Sequence, residues 1–270
     1  MIPQLIALDI DGTLLPPGAQ PLDLPNIELQ SVVGELIAAG VSVVLATGRM
    51  YPGTASIARH LGIEEPLICQ QGASTHALDG RLLHEVPLEP EIALGVVAFA
   101  KTHGWSYAWF DSQRYLVSTD SEQVQLFAEV SGVTAECRAE PEASGVVPLG
   151  ADIISTPEQA SSVHDQLKHQ YGKRLQLVNF PSVTAAYAPL ATKGHALARL
   201  ARERSIAQSA VLAIGDSVND VSMLQWAGTG AVPGHCDGYA GAAADERLPG
   251  QGVAGVLEKL RSVLRQINAG

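Results

Sequence analysis

The sequence predicts an α/β protein: a doubly wound, Rossmann-like parallel sheet interrupted by an inserted α+β domain. Three observations carry this. Short apolar strand runs alternate with helical runs up to about Gly72, the same alternation returns after about Tyr187, and between them the pattern turns to hairpins and mixed elements.

In order along the chain, Gln4–Leu8 is an apolar run ending at Asp9, a buried strand with carboxylates at its exit. After a Pro- and Gly-rich loop, Asn26–Ala39 spaces Ile27, Val32, Val33, Leu36 and Ile37 as a helix, with Gly40 as the stop. Val41–Ala46 is a second strand, Tyr51–Leu61 a helix closed by Gly62, and Pro66–Cys69 a third strand. Such alternation implies crossover connections and a parallel sheet.

In the middle, Leu78-Asp79-Gly80-Arg81 signals a hairpin, because Asp-Gly supplies the positive φ angles of a tight turn. Helices are expected over Pro90–His103, Ser121–Val130 and Glu158–Tyr171, with strands at Trp105–Phe110, Tyr115–Ser118, Ala151–Ser155 and Leu175–Phe180. Ala139–Gly150 reads as a loop. The outer pattern resumes with a helix at Gly194–Arg204, a strand at Val211–Ile214, a helix at Val218–Trp226, a strand at Gly228–Val232 and a final helix at Val253–Asn268. The expected division is a core of residues 1–82 and 189–270 with an inserted domain of residues 83–188.

With 270 residues, 46% apolar and 17% charged, the chain can bury a substantial core. Its longest apolar stretch, Ile92–Ala100, is too short to cross a bilayer. The first residues lack a basic start and a small-residue cleavage site, so a cytoplasmic location is expected. Cys69, Cys137 and Cys236 lie far apart and read as small buried hydrophobes. A net charge of −11 without any Lys/Arg run argues against nucleic acid or an anionic membrane as partner. The eight histidines form no chelating pattern. Trp105, Tyr107, Trp109 and Phe110 crowd one strand of the inserted domain, where packing is the default and a wall facing a sugar ring the alternative.

The residues that can do chemistry sit at strand exits. Asp9-Ile10-Asp11-Gly12-Thr13 follows the first strand, and both carboxylates can reach the crevice where open α/β sheets bind ligands. Alone, this also fits an acidic turn. Gly215-Asp216-Ser217-Val218-Asn219-Asp220 follows another strand; Asp216 and Asp220 can face one point, although helix capping accounts for them equally. Together the two acidic clusters form an oxygen-rich hole suited to Mg2+. Thr47-Gly48-Arg49 offers a hydroxyl and free N–H groups at a helix entrance, able to hold a phosphate or simply to start a helix. Lys193 opens a helix, where its charge opposes the dipole, so it is either functional or solvated.

Taken in order, Asp-x-Asp-Gly-Thr, the strand ending in Thr47-Gly48-Arg49, Lys193-Gly194-His195-Ala196-Leu197 and Gly215-Asp216-Ser217-Val218-Asn219-Asp220-Val221-Ser222-Met223-Leu224 resemble the haloacid dehalogenase-like superfamily, in particular its Cof-type, sugar-phosphatase-like branch. Ala244-Asp245 and Gly252-Val253-Ala254 fit the same pattern. The insertion between Gly72 and Tyr187 matches that branch's large second-position cap, because the loop from Thr13 to Asn26 is too short to hold a domain.

The resemblance implies a Mg2+-dependent phosphatase acting on a small phosphorylated metabolite such as a sugar or polyol phosphate. Asp9 would be the nucleophile and carry an aspartyl-phosphate, and Asp11 the general acid and base. Thr47, Gly48, Arg49, Lys193 and Asn219 would bind the phosphate side, with Lys193 also neutralising the attacking carboxylate. Asp9, the main-chain carbonyl of Asp11, and Asp216 would hold Mg2+, with Asp220 supporting the metal shell. A monomer or small homo-oligomer is expected.

The sequence departs from the branch at Gln71-Gly72-Ala73, at Gly234-His235-Cys236 and at Ala185-Ala186-Tyr187-Ala188, which lacks the branch's acidic residue before the lysine. The rival readings are a phosphotransferase or phosphomutase of the same fold and a non-catalytic sensor of a phosphorylated metabolite.

Overall fold

Every residue of Leu5–Leu8 (β1) is buried, as expected of a central strand covered on both faces. A computed structural model describing residues 2–180, 182–250 and 252–270 supplies the cover. Helix α1 (Ile27–Ala38) is capped by Asn26, whose side chain accepts from the Leu29 N–H at 2.9 Å. Strand β2 (Ser42–Leu45) and helix α2 (Tyr51–Leu61) follow, the helix ending at Gly62 in the left-handed conformation. Strand β3 (Leu67–Cys69) touches the end of β2 through one parallel bridge, Ala46 to Ile68. It then pairs antiparallel with β4 (Ser74–His76), which continues through the Asp79-Gly80 turn into β5 (Leu82–Glu85).

The middle of the chain builds a separate six-stranded sheet. Its elements are α3 (Pro90–Thr102), β6 (Ser106–Phe110), β7 (Tyr115–Val117), α4 (Glu122–Ser131), β8 (Ala135–Cys137), β9 (Gly150–Ile154), α5 (Pro157–Tyr171), β10 (Gln176–Asn179) and β11 (Val183–Tyr187). The strand order is β10-β11-β9-β6-β7-β8. Strands β8 and β11 add to the sequence expectation, as does a short 3-10 turn at Pro141–Ser144 within the expected loop.

The last third returns to the first sheet with α6 (Lys193–Glu203), β12 (Val211–Ile214), α7 (Val221–Trp226), β13 (Thr229–Val232), α8 (Gly238–Ala243), β14 (Glu246–Arg247) and α9 (Val253–Ala269). That sheet is five-stranded and parallel throughout, in the order β14-β13-β12-β1-β2. The helix expected from Val218 begins as a 3-10 turn over Val218–Asp220 before α7 proper.

Strand alternation divides this sheet's side chains between two cores. Ile6, Leu8, Val43 and Leu45 pack with residues of α1, α2 and α9, whereas Leu5, Ala7, Val44 and Ala213 pack with α6, α7 and α8. Helices on both faces make the sheet doubly wound. No helix among the described residues is long and apolar enough to cross a membrane.

One expectation about a residue type is corrected and one is met. Of the cysteines only Cys69 is buried; Cys236 is half-buried and Cys137 exposed, because Cys137 ends β8, the edge strand of its sheet. The aromatic strand is core, with its members split between faces. Tyr107 and Trp109 pack beneath α3 and α5, and Phe110 lies on the opposite face with Tyr115 and Tyr187.

Candidate active site

In a parallel sheet all strands exit on one side, so the loops after β1, β2 and β12 converge. Asp9 is the first residue beyond β1, and its N–H still donates to the Ile214 carbonyl of β12 at 3.0 Å. Thr47 stands two residues past β2 and Asp216 two past β12. Between Asp9 and Asp216 the chain passes at Gly12, which has φ +86° and whose Cβ position would lie 2.2 Å from Asp216 Oδ2. Any side chain there is excluded on both counts.

Lys193 ties this cluster together. It is fully buried at the start of α6 and donates to Asp9 Oδ1 at 2.7 Å and Asp220 Oδ1 at 2.6 Å. Burial pushes its ammonium down, but the charges of Asp220 and Asp9 outweigh this, so its pKa lies above the ordinary lysine value. The helix-dipole penalty noted in the sequence is met by the same two carboxylates. Gly194 lets α6 approach this closely: a Cβ there would lie 2.2 Å from the Ser222 carbonyl oxygen.

One lysine does not balance this much acid. Burial and the charge of Asp220 raise the pKa of Asp9 well above the usual carboxylate range, against the pull of Lys193. Burial and Asp220 also lift Asp216 to about 6. Oxygens of Asp9, Asp216 and Asp220 lie within 4.8 Å of one another. Hard oxygen donors carrying surplus negative charge fit a magnesium ion. The three are not equivalent: Asp220 gives Oδ1 to Lys193, and its Oδ2 accepts from the N–H groups of Asp216 and Ser217 at 2.9 and 3.0 Å. Both its oxygens are engaged, which leaves Asp9 and Asp216 as the direct donors and Asp220 as the residue that fixes the loop. The Asp11 carboxylate is outside this trio.

Asp11 instead meets Arg49. The guanidinium donates from Nε to Oδ2 at 2.8 Å and from Nη2 to Oδ1 at 2.5 Å, a two-pronged contact. The Arg49 side chain is 4% exposed and that of Asp11 52%. The Arg49 backbone N–H donates to Thr47 Oγ1 at 3.2 Å, so the hydroxyl of Thr47 is oriented by the residue that grips Asp11.

Asp9, Asp11, Thr47, Gly48, Arg49 and Asn219 line one cavity of about 390 Å3, whereas Lys193, Asp216 and Asp220 lie outside its lining, Lys193 and Asp220 fully buried. A broader depression of about 950 Å3 over Phe99 and α5 contains none of them. Gln71 also lines the cavity, at φ +60°, and accepts from Asn219 Nδ2 at 3.1 Å. A strained backbone in this position marks a residue held for its side chain. Its neighbour Gln70, φ +49°, reaches the second sheet's turn by donating to the Asp111 carbonyl at 2.7 Å. His235 Nε2 contacts the Gly12 carbonyl at 2.7 Å. The opposite wall comes from the inserted segment: Leu126, Phe127 and Val130 of α4, Asp152 of β9, and Phe180, Val183 and Tyr187 around β10 and β11. None of these wall residues was given a site role from the sequence, although Tyr187 falls in the stretch that departs from the family pattern.

The family model for haloacid dehalogenase-like hydrolases matches residues 6–260. The chain is 26% identical to phosphatase YwpJ of Bacillus subtilis over 86% of its own length and 90% of that protein's. It is likewise 26% identical to the pyridoxal phosphate phosphatase YbhA of Escherichia coli, covering 88% of this chain and 90% of that one. The solved structure of the subclass IIB sugar phosphatase BT4131 superposes with a TM-score of 0.80 at 20% identity, over 98% of this chain and 99% of the other.

Proposed function

The chain belongs to the haloacid dehalogenase-like hydrolases, and from that premise we propose that it is a phosphatase that hydrolyses monoesters of small phosphorylated metabolites with Asp9 as nucleophile. The observation that carries this reading is the setting of Asp9: a buried carboxylate at the cavity floor, held on one oxygen by Lys193, with the half-exposed Asp11 two residues away. A non-catalytic binder needs no such nucleophile and acid pair. Relatives that the chain resembles over most of its length are phosphatases.

In this mechanism Asp9 Oδ2, the oxygen free of Lys193, attacks phosphorus. The phosphorus–oxygen bond to the leaving alcohol breaks, and Asp11, one of whose oxygens must part from Arg49 and take up a proton from solvent beforehand, delivers that proton to the leaving oxygen. Asp11 then takes a proton from water as the water attacks the aspartyl-phosphate, which releases inorganic phosphate and restores Asp9. Thr47 Oγ1 and the Gly48 N–H hold phosphate oxygens, while Lys193 limits repulsion between Asp9 and the incoming dianion. Asp9 and Asp216 are the residues that would hold Mg2+, which supplies the remaining positive charge that a carboxylate needs to approach a phosphate. The six-stranded segment serves as a cap closing the cavity from above, and it meets the core at Gln70, which donates to the Asp111 carbonyl, and where α2 packs on α4, the Met50 N–H donating to Ser131 Oγ at 3.5 Å.

The test is phosphate release from p-nitrophenyl phosphate and a panel of sugar, polyol and heterocyclic phosphates with Mg2+, comparing wild type with Asp9→Asn. Loss of at least about a thousandfold in the variant supports the reading; turnover that survives the substitution removes Asp9 as nucleophile. The sequence expectation of a sugar or polyol phosphate fits the phosphate half of the site, and the cap wall bears on the other half.

A further inference from the structure

Asp152 is 2% exposed in the middle of an apolar sheet. On β9, Ala151 and Ile153 point to the layer under α3 and α5, so Asp152, one step out of phase, faces the other side with Ile154. Its neighbours across the sheet are Ala108 and Ala185, two small residues that leave the carboxyl room. Tyr115 donates its hydroxyl to Asp152 Oδ2 at 3.2 Å, but Oδ1 is buried and has no hydrogen-bond partner. Burial lifts the Asp152 pKa to about 7, opposed only by the Tyr115 hydrogen bond; no basic residue offsets it. A buried, half-satisfied carboxyl is costly, and this one lines the same cavity as Asp9 and Asp11.

The rest of the cap wall is apolar or nearly so. Leu126, Phe127, Val130, Phe180, Val183 and Tyr187 supply it. Of the other polar cap residues, Gln123 is exposed and Ser182 half-buried. A polyhydroxylated leaving group would bury several hydroxyls against a wall with few partners, each unmatched hydroxyl lowering affinity. A flat ring would instead bury its faces on Phe127, Phe180 and Tyr187. Oδ1 is sealed from the cavity as the side chain stands, so a nitrogen-borne hydrogen on that ring would reach the Asp152 carboxyl once the group turns about its last side-chain bond, in a charge-assisted hydrogen bond.

Resting on the phosphatase reading, we propose that Asp152 is the cap's specificity-determining residue, selecting esters whose leaving group is an apolar or aromatic ring carrying an ammonium or ring N–H, over polyols. The leaving alcohol lies with its oxygen near Asp11 and its nitrogen toward Asp152, and the proton on that nitrogen stays on the ligand or is shared with the carboxyl.

The experiment measures kcat/KM of the full chain with Mg2+ for benzyl phosphate, 3- and 4-(aminomethyl)benzyl phosphate and glucose 6-phosphate, in wild type and in Asp152→Asn, whose near-isosteric side chain can still accept from Tyr115. In wild type the better aminomethyl ester exceeds both benzyl phosphate and glucose 6-phosphate by at least about tenfold. In the variant the aminomethyl-to-benzyl ratio falls to within about threefold of one. A wild-type preference for glucose 6-phosphate overturns the proposal even if the variant does not fold, and so does a ratio unchanged by the substitution. If wild type releases phosphate from none of the esters, the phosphatase reading fails instead. Calorimetric binding of the same esters to Asp9→Asn then decides the role of Asp152, the aminomethyl ester binding most tightly if it stands and no tighter than benzyl phosphate if it falls.

Discussion

Arg49 holds Asp11 by both carboxylate oxygens, at 2.8 and 2.5 Å, across 38 residues of chain. The arginine fork is therefore occupied by the proposed acid, although the sequence pointed to Arg49 as a phosphate ligand. These roles separate in steady-state kinetics. Arg49→Lys keeps the charge and loses the planar two-pronged contact. If Arg49 positions Asp11, kcat falls about tenfold to a hundredfold while KM for p-nitrophenyl phosphate stays within about threefold. A rise in KM with kcat preserved would return Arg49 to the phosphate.

Magnesium should be visible without any substrate. An ion bound by Asp9 and Asp216 of the folded chain stabilises it by mass action, by about 2.7 kcal/mol at a hundred times Kd. The midpoint of thermal unfolding should thus rise as Mg2+ is added and return to its starting value with chelator. Gly12→Ala, which brings a methyl against Asp216, should abolish the rise. An undiminished shift in that variant would move the ion away from Asp216.

Acid should stabilise the metal-free protein over a defined window. Asp152 titrates at about 7 against an ordinary 3.8, and Asp216 at about 6. Between these limits the folded state binds more protons than the unfolded state, so these two groups make stability fall as pH rises from about 4 to about 7, and level above. Asp152→Asn deletes its share. Relative to wild type it should gain up to about 4 kcal/mol between pH 4 and pH 8, since one unit of pKa shift corresponds to about 1.36 kcal/mol. Urea unfolding of both proteins without Mg2+ at the two pH values measures the difference; a gap that does not change with pH would mean Asp152 titrates normally.

The residues readable in the sequence were those whose place follows from a strand's end. Asp9, Thr47 and Asp216 each follow a short apolar run, and parallel strands bring such exits together whatever the loops do. Lys193 gave a weaker sign through its unfavourable place at a helix start, explained by its burial between Asp9 and Asp220. The Arg49–Asp11 grip left no sign, because it depends on how the loop turns at Gly12. Asp152 left none either: Ala151-Asp152-Ile153 alternates, but which face meets the cavity is set by how the second sheet docks on the first. Strands β8 and β11 escaped notice because Ala135-Glu136-Cys137 is short and charged, while Val183-Thr184-Ala185-Ala186-Tyr187 has small residues where bulky ones would mark a strand.

The place of β1 at the centre of the parallel sheet has a consequence for synthesis. One edge of β1 pairs with β2, about 40 residues on, but the other pairs with β12, roughly 200 residues on. All six strands of the cap sheet emerge in between, so that sheet can close while the strand that leads into Asp9 still has a bare edge. At about 5–20 residues per second that interval lasts on the order of 10–40 s, during which β1 is open to wrong pairing on the ribosome. An interrupted chain ending before Lys193 would carry Asp9 without the lysine and the two aspartates that surround it in the folded chain.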